Sequence, residues 1–333
     1  MSSGGSIPYH LRPNKAVDRN LFIDMLYRIN NFSNISEYTY ISFGGPFLED
    51  FKQVHNSLKI EKMLSIELVD NVHKRQAFNM PLSCVDIGTS TEKSSEFLQR
   101  HEFQDLTIIW LDFVSPSELT QQLDELSFLI SKLNHKDIFK ITVNAHVETL
   151  GKSSDPAEAN DPRPYRLTSI RTKIEDRFLP DTLSIEDVST KNYPKTLLAS
   201  IHRAIKIGLS GRPDITVQPL SSFVYSDGMT MLTASGIVLN NNQDTIDQFF
   251  INSRLENWKF MNKEWSEPKS INIPSMSIKE RMIIEAMLPN TDADKIRDKL
   301  GFFIGDKESE SKRLMNNFIE YYKVMPWYSK VVV

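Results

Sequence analysis

Four places in the chain set a chemistry-bearing side chain directly after a short apolar run. Tyr40-Ile41-Ser42 leads into Phe43-Gly44-Gly45-Pro46-Phe47, Leu64-Ser65-Ile66 into Glu67, Cys84-Val85 into Asp86-Ile87, and Ile108-Ile109-Trp110-Leu111 into Asp112-Phe113. Paired glycines after such a run let the backbone approach a ligand that a Cβ would exclude. A carboxylate such as Glu67 can accept two hydroxyl hydrogen bonds, and Asp86 can accept from an amino group while the peptide at Ile87 pairs beside it. Asp112 can orient a reacting group, or act as a base if burial raises its pKa. A fifth run, residues 138–143, ends at Asn144-Ala145-His146. The two-residue period puts Asn144 and His146 on one side of an extended chain, and a neutral histidine is a base near physiological pH. Each position has a plainer alternative. Glu67 is otherwise an exposed strand-end acid, Gly44-Gly45 a tight turn, Asp86 a turn residue and His146 a surface side chain. Asp112 is otherwise an N-cap for the next helix, where Ser115 is the better cap.

These side chains need a frame that delivers them to one edge. From residue 18 to about 147, short apolar runs alternate with amphipathic stretches, the pattern of βαβ units and a parallel sheet. The first helix carries Leu21, Phe22, Met25, Leu26 and Ile29 at helical spacing, and a later one spans 117–133. The run 106–111 is apolar throughout, as a central strand buried on both faces requires. Ligands of open α/β sheets bind at the carboxyl ends of the strands, where all of these residues stand. The rhythm breaks after Gly151, with Ser-Ser-Asp-Pro and Asp-Pro-Arg-Pro in a loop composition and a helix over 195–209. Two β-rich runs, 215–225 and 229–239, are joined by Ser226-Asp227-Gly228, a hairpin signal. Helices are expected over 277–287, 292–300 and 308–322, the last with a core stripe of Leu314, Phe318, Tyr321 and Tyr322, before a tail of Pro326-Trp327-Tyr328 and three valines.

Five βα units followed by an antiparallel hairpin resemble the class I S-adenosylmethionine (SAM)-dependent methyltransferase fold. The resemblance rests on the four strand ends and covers roughly residues 15–240. The stretch from Tyr40 to Asn79, with the Trp110-Leu111-Asp112 motif, is similar to bacterial proteins labelled "putative O-methyltransferase". It implies an α/β, Rossmann-like sheet of seven mostly parallel strands with an antiparallel last strand. It further implies a methyltransferase-like domain over 1–245, with a helical insertion at about 151–214 and a C-terminal helical region over 246–333. SAM would be the cofactor: Ser42, Gly44, Gly45 and Phe47 would form the glycine loop, Glu67 would hold the ribose hydroxyls, and Asp86 and Ile87 would lie beside the adenine. Asp112, Asn144 and His146 would line the acceptor pocket for methyl transfer, possible at oxygen. The sequence departs from the family pattern in placing Ser42 where an acid is usual and Pro46 where a further glycine is usual, with Glu49 and Asp50 nearby. Asp112 is followed by Phe113-Val114-Ser115-Pro116, unlike the motif of amino-methylating nucleic-acid enzymes, which disfavours adenine or cytosine methylation. A second reading is a methyltransferase fold without chemistry, serving as a scaffold or sensor subunit of a bacterial anti-phage defence complex with protein partners.

Composition narrows the remaining classes. Thirty-nine basic and 43 acidic side chains give a net charge of −4, so no global attraction to nucleic acid is implied. The one local basic concentration is Arg163, Arg166, Arg171, Lys173 and Arg177, with Tyr165 and Phe178 nearby. Arginines interleaved with aromatics can grip phosphates and bases, the basis of an RNA-directed third reading, although a solvated face or a protein-partner surface fits the mixed charge better. Lys15 and Arg19, in the arm from Leu11, could meet a carboxylate or phosphate, or Arg19 could simply pair with Asp18. Cys84 is the single cysteine and favours a reducing, cytoplasmic setting. The seven histidines form no metal-binding spacing, and no run approaches the roughly 18–20 apolar residues of a membrane span. The polar opening Met-Ser-Ser-Gly-Gly-Ser lacks the apolar core of a signal peptide.

Overall fold

The computed structural model of the protein describes residues 12–155 and 160–326. The polar opening, Leu11, Pro156 and the tail from Trp327 onward lie outside the described residues. Strands β1 (Thr39–Ser42), β2 (Lys62–Ser65), β3 (Val85–Asp86), β4 (Thr107–Asp112), β5 (Ile138–Asn144), β6 (Ile215–Ser226), β7 (Thr230–Asn240) and β8 (Lys269–Ile271) form one sheet. Its order is β3-β2-β1-β4-β5-β7-β6-β8. Parallel pairing joins β1 to β2 and β4, β2 to β3, and β4 to β5, whereas β7 runs antiparallel to β5. The expected mostly parallel α/β sheet with an antiparallel late strand is therefore present, but it has eight strands and not seven. The eighth is three residues long and follows Pro268, too short for alternation to betray it in sequence.

By their internal contacts the residues fall into two compact units. The first comprises Ile23–Val224 and Met229–Lys269. Its core lies on one face of the sheet, where Ile41, Ile109, Leu111, Phe139, Ile141 and Val143 meet helices α4 (Ser94–Arg100), α5 (Leu119–Lys132) and α7 (Tyr193–Gly208). α5 contributes Leu119, Leu123, Leu126, Leu129 and Ile130, a stripe at helical spacing. α7 lies within the expected insertion, yet its Leu197, Leu198, Ile201 and Ala204 share this core. α5 and α7 cross closely at Gly208, where a Cβ would lie 2.4 Å from the Ser127 carbonyl oxygen and 2.8 Å from Ile130 Cβ.

The second unit comprises residues 12–22, Tyr225–Gly228 and 270–326. Helix α1 (Pro13–Ile29) begins here, and Pro13 suits a first turn whose amides need no intrahelical partner. Two of those amides are capped from afar: Asn14 N and Lys15 N donate to the two carboxylate oxygens of Asp227 at 3.2 and 2.8 Å. The residue that marks the hairpin turn thus also serves as an anionic cap where the helix dipole favours one. Helices α9 (Ile278–Glu285), α10 (Ala293–Leu300) and α11 (Glu308–Tyr321) enclose Ile284, Ala293, Ile296, Met315 and Phe318. Ser277 and Asp292 cap the first two.

Candidate functional site

The turn after β1 is shaped by backbone that only glycine adopts freely. Gly44 and Gly45 have φ of +66° and +56°, and a short 3₁₀ turn spans Gly45–Phe47. A Cβ at Gly44 would stand 2.5 Å from Leu48 Cδ2 and 2.8 Å from Phe51 Cε2, so close packing as well as φ requires glycine there. Helix α3 (Asp70–Asn79) holds the turn from the side. Gln76, fully buried, donates Nε2 to the carbonyls of Phe43 and Gly45 at 3.1 and 2.9 Å, and Asn79 Nδ2 donates to Pro46 O at 2.9 Å. Ser42, which closes β1, is 1% exposed, and its hydroxyl has no hydrogen-bond partner among the described residues. Phe47 is half-buried under the Arg75 guanidinium, 5.0 Å from its ring centroid.

Glu67 stands two residues beyond β2, next to this turn. One of its oxygens accepts from Val69 N at 2.8 Å, and the exposed Leu68 and Val69 flank it with apolar surface. Desolvation raises its pKa, and the backbone amides of Val69 and Leu68, with His73, oppose that rise. At the end of β3, Asp86 accepts from Gly88 N at 2.8 Å, closing its own turn. His73 Nε2 lies 3.0 Å from Ile87 O and 3.3 Å from Gly88 O. α3 therefore braces the ends of both β1 and β3. Its Gln76, Asn79 and His73 were not among the expected site residues. Their signal is polar side chains on a short helix directly after an expected site acid. Asp86 also borders a separate cleft of about 400 Å³ shared with Lys62, Cys84 and His101.

At the ends of β4 and β5, Asp112 is half-buried opposite Thr142, and the ring of the next residue, Phe113, meets Phe43 edge-on at 5.4 Å. Asn144 is 3% exposed: its Nδ2 donates to Val114 O at 3.4 Å and its Oδ1 accepts from His146 N at 3.0 Å. The structure thus brings Asn144 and His146 together and ties both to the loop after β4. His146 is partly exposed, with Nδ1 3.5 Å from Thr230 Oγ1 and Nε2 3.5 Å from Glu148 Oε2. Neither Asp112 nor Ser115 caps the next helix as expected. α5 begins at Leu119, two residues later than expected, and Ser115 is drawn into the loop, where its hydroxyl meets Ser117 and its carbonyl accepts from Gln122.

The remaining candidates stand elsewhere. Lys15 and Arg19 are buried on α1 within the second unit. Arg166 lies on α6 (Arg163–Lys173), its Nε donating to Gly151 O at 3.4 Å, and Arg171 is exposed on the same helix. Around them Arg163 pairs with Asp161 and Glu186, and Arg177 with Asp124 and Glu175, so acids offset much of the local basic charge. Among the described residues no group of three or more His, Cys, Asp or Glu is placed to hold a metal ion, and no helix is long and apolar enough to cross a membrane.

The chain belongs to the family described as "Putative O-methyltransferase", whose model matches residues 7–333. No curated protein sequence matches it. Among solved structures it is similar to Trm1 from Pyrococcus horikoshii with S-adenosyl-L-methionine: 11% identity, 76% of this chain and 60% of that one, TM-score 0.45. It is also similar to an O-methyltransferase from Bacillus cereus in complex with SAH, at 13% identity over 66% of this chain and 80% of that one, TM-score 0.36. A third is the O-methyltransferase TomG from Streptomyces achromogenes with SAM, at 10% identity over 67% and 80%, TM-score 0.35. The chain spans less than two thirds of the length of the Pyrococcus protein.

Proposed function

We propose that this member of the O-methyltransferase family binds SAM at the carboxyl ends of β1, β2 and β3 and methylates an oxygen acceptor held at the ends of β4 and β5. The observation that carries the reading is the strand order β3-β2-β1-β4-β5-β7-β6, with a left-handed Gly44-Gly45 turn after β1 and an acid just beyond β2. Carboxyl-end loops at such a sheet are where open α/β folds take their ligands. The residues present fit the cofactor. Glu67 is a partly buried carboxylate that would hold the ribose hydroxyls, with exposed Leu68 and half-buried Ile87 as apolar surface for the adenine. The orphaned Ser42 hydroxyl is a buried polar atom that a bound polar group would satisfy.

The cofactor would supply a sulfonium methyl group with a good leaving group already in place, which leaves the protein mainly the work of positioning. Asn144 would fix the acceptor loop, as its bonds to Val114 O and His146 N already do for the chain. His146 would take up the acceptor proton, with Glu148 beside it to stabilise the imidazolium. Asp112 would orient the acceptor hydroxyl. Calorimetry with SAM tests this directly: saturable binding is expected, weakened at least tenfold by Glu67→Ala. A folded preparation that takes up no SAM at millimolar concentration refutes the reading.

A second reading, a cofactor-binding fold without turnover, draws on one specific feature. Ser42 stands at the end of β1 where the class I methyltransferase pattern has an acid. SAM binding without methyl transfer to any hydroxylated acceptor, and without slow cofactor hydrolysis, would favour it.

A further inference from the structure

On the face of the sheet that carries the apolar core, α4, α5 and the end of α7 border a cleft of about 480 Å³. Its size lies within the range of small-molecule sites, about 300–1,000 Å³. The floor comes from α5, where Gln121, Glu125 and Phe128 follow one another at helical spacing, and the walls include Leu98 and Ile207. Phe128 and Ile207 are 41% and 37% exposed, so the apolar part of the cleft is open to solvent.

Glu125 is the unusual member. It is 5% exposed, Gln121 Nε2 donates to its Oε1 at 3.0 Å, and its Oε2 is buried with no hydrogen-bond partner among the described residues. A buried carboxylate oxygen left in this state is costly when ionised. Burial pushes the Glu125 pKa up against the opposing polar groups of Ser94 and Gln121, and the charges of Glu118 and Asp124 add to the rise. The cleft lining contains no lysine, arginine or histidine. Lys132, whose Nζ lies 5.6 Å from the Phe128 ring centroid, donates to the carbonyls of Leu98 and His101, and Arg177 pairs with Asp124.

We propose that this cleft binds a small alkylamine, with Glu125 as counter-charge to its ammonium and Phe128, Leu98 and Ile207 packed against its aliphatic stem. An ammonium brings donors and positive charge to a carboxylate that has neither in full supply, and the stem covers apolar surface that is now wet. Gln121 is exposed, and displacing its Nε2 would free Oε1 for the ammonium. The site lies apart from the proposed SAM edge and does not depend on that reading.

The test is titration of the full chain with n-hexylammonium, followed by two-dimensional amide spectra, with hexan-1-ol and hexanoate as controls. Saturable binding of the amine alone is expected, with shifts centred on Gln121, Glu125 and Ser210. Glu125→Gln should weaken it at least tenfold and the exposed-site change Phe128→Ala about threefold, with thermal melts confirming that both variants are folded. The proposal is overturned by no saturation in the folded wild type, by equal binding of hexan-1-ol, or by a folded E125Q that binds the amine as well as wild type. Should E125Q fail to fold, unchanged binding in F128A overturns it equally.

Discussion

On one face of the sheet Ile41, Ile109, Leu111, Phe139, Ile141 and Val143 meet α4, α5 and α7 in a continuous apolar core. On the other face the strand register sets Ser65, Ser42, Trp110, Lys140 and Ser235 in one row across β2, β1, β4, β5 and β7. All five are buried. Trp110 Nε1 donates to Thr142 Oγ1 at 2.8 Å, the Lys140 ammonium lies 4.1 Å from the Trp110 ring centroid, and Ser235 reaches Met25 of α1. Strands with a period of two must present alternate residues to each side. The same strands therefore carry a face that stabilises by area and an opposite face where a polar row, beside apolar Tyr40, Ile108 and Ile138, has to be matched partner by partner. The row meets the end of β1 at Ser42, so this polar row and the apolar core lie on opposite sides of one sheet.

Substitutions can break that division, and the largest effect belongs to the apolar face. Phe139→Ala should destabilise by about 3–5 kcal/mol in urea titration, since a fully buried ring is lost and Gly236 opposite leaves nothing to refill the space. A cost below about 1 kcal/mol would show that this face does not dominate. Gly44→Ala should cost about 3 kcal/mol, the sum of left-handed backbone strain and contacts with Leu48 and Phe51 inside van der Waals range. It should also abolish SAM uptake.

Asp137 gives a pH-dependent test at the amino ends of the strands. It is 2% exposed and accepts from Thr107 N and Asn134 N at 2.8 and 2.7 Å, yet desolvation outweighs these bonds and pushes its pKa up to about 6. The native state thus keeps the proton after the unfolded chain has lost it near pH 4. The group's contribution is fully present below about pH 4 and is lost as pH rises to about 6, a fall on the order of 2–3 kcal/mol. Unfolding free energies from pH 4 to 6 should fall more steeply in wild type than in Asp137→Asn, and parallel slopes would refute the assignment. Gln76→Ala, smaller again at about 1–3 kcal/mol, would leave the carbonyls of Phe43 and Gly45 without their donor. Its loss should appear as weakened SAM binding as well as lower stability.

The strands, their order in sequence and the residues at their carboxyl ends were legible because buried strands write apolar runs and turns write glycine and proline. Gly44-Gly45 and Asp227-Gly228 both appear as turns with φ above zero at the glycines. What could not be read is who meets whom. Gln76 reaches carbonyls 31 and 33 residues earlier, and Asp227 caps amides 212 and 213 residues away. Local periodicity encodes an element's faces but not its distant partner. For the same reason local periodicity does not single out Lys140, which the register buries against Trp110.

The smallest effect is the sharpest test of the comparison. Ser42 is buried on the polar face with a hydroxyl that no group among the described residues satisfies. Replacing such a group by a methyl of similar shape removes a desolvation cost and no protein hydrogen bond. Ser42→Ala should therefore leave stability unchanged or raise it by up to about 1 kcal/mol, while lowering SAM affinity if the hydroxyl is kept for a ligand. A substitution that is neutral for folding but costly for binding would place Ser42 among residues retained for chemistry. If it instead destabilised the chain as a core truncation does, the polar face would be as structural as the apolar one, and the division between them would fail.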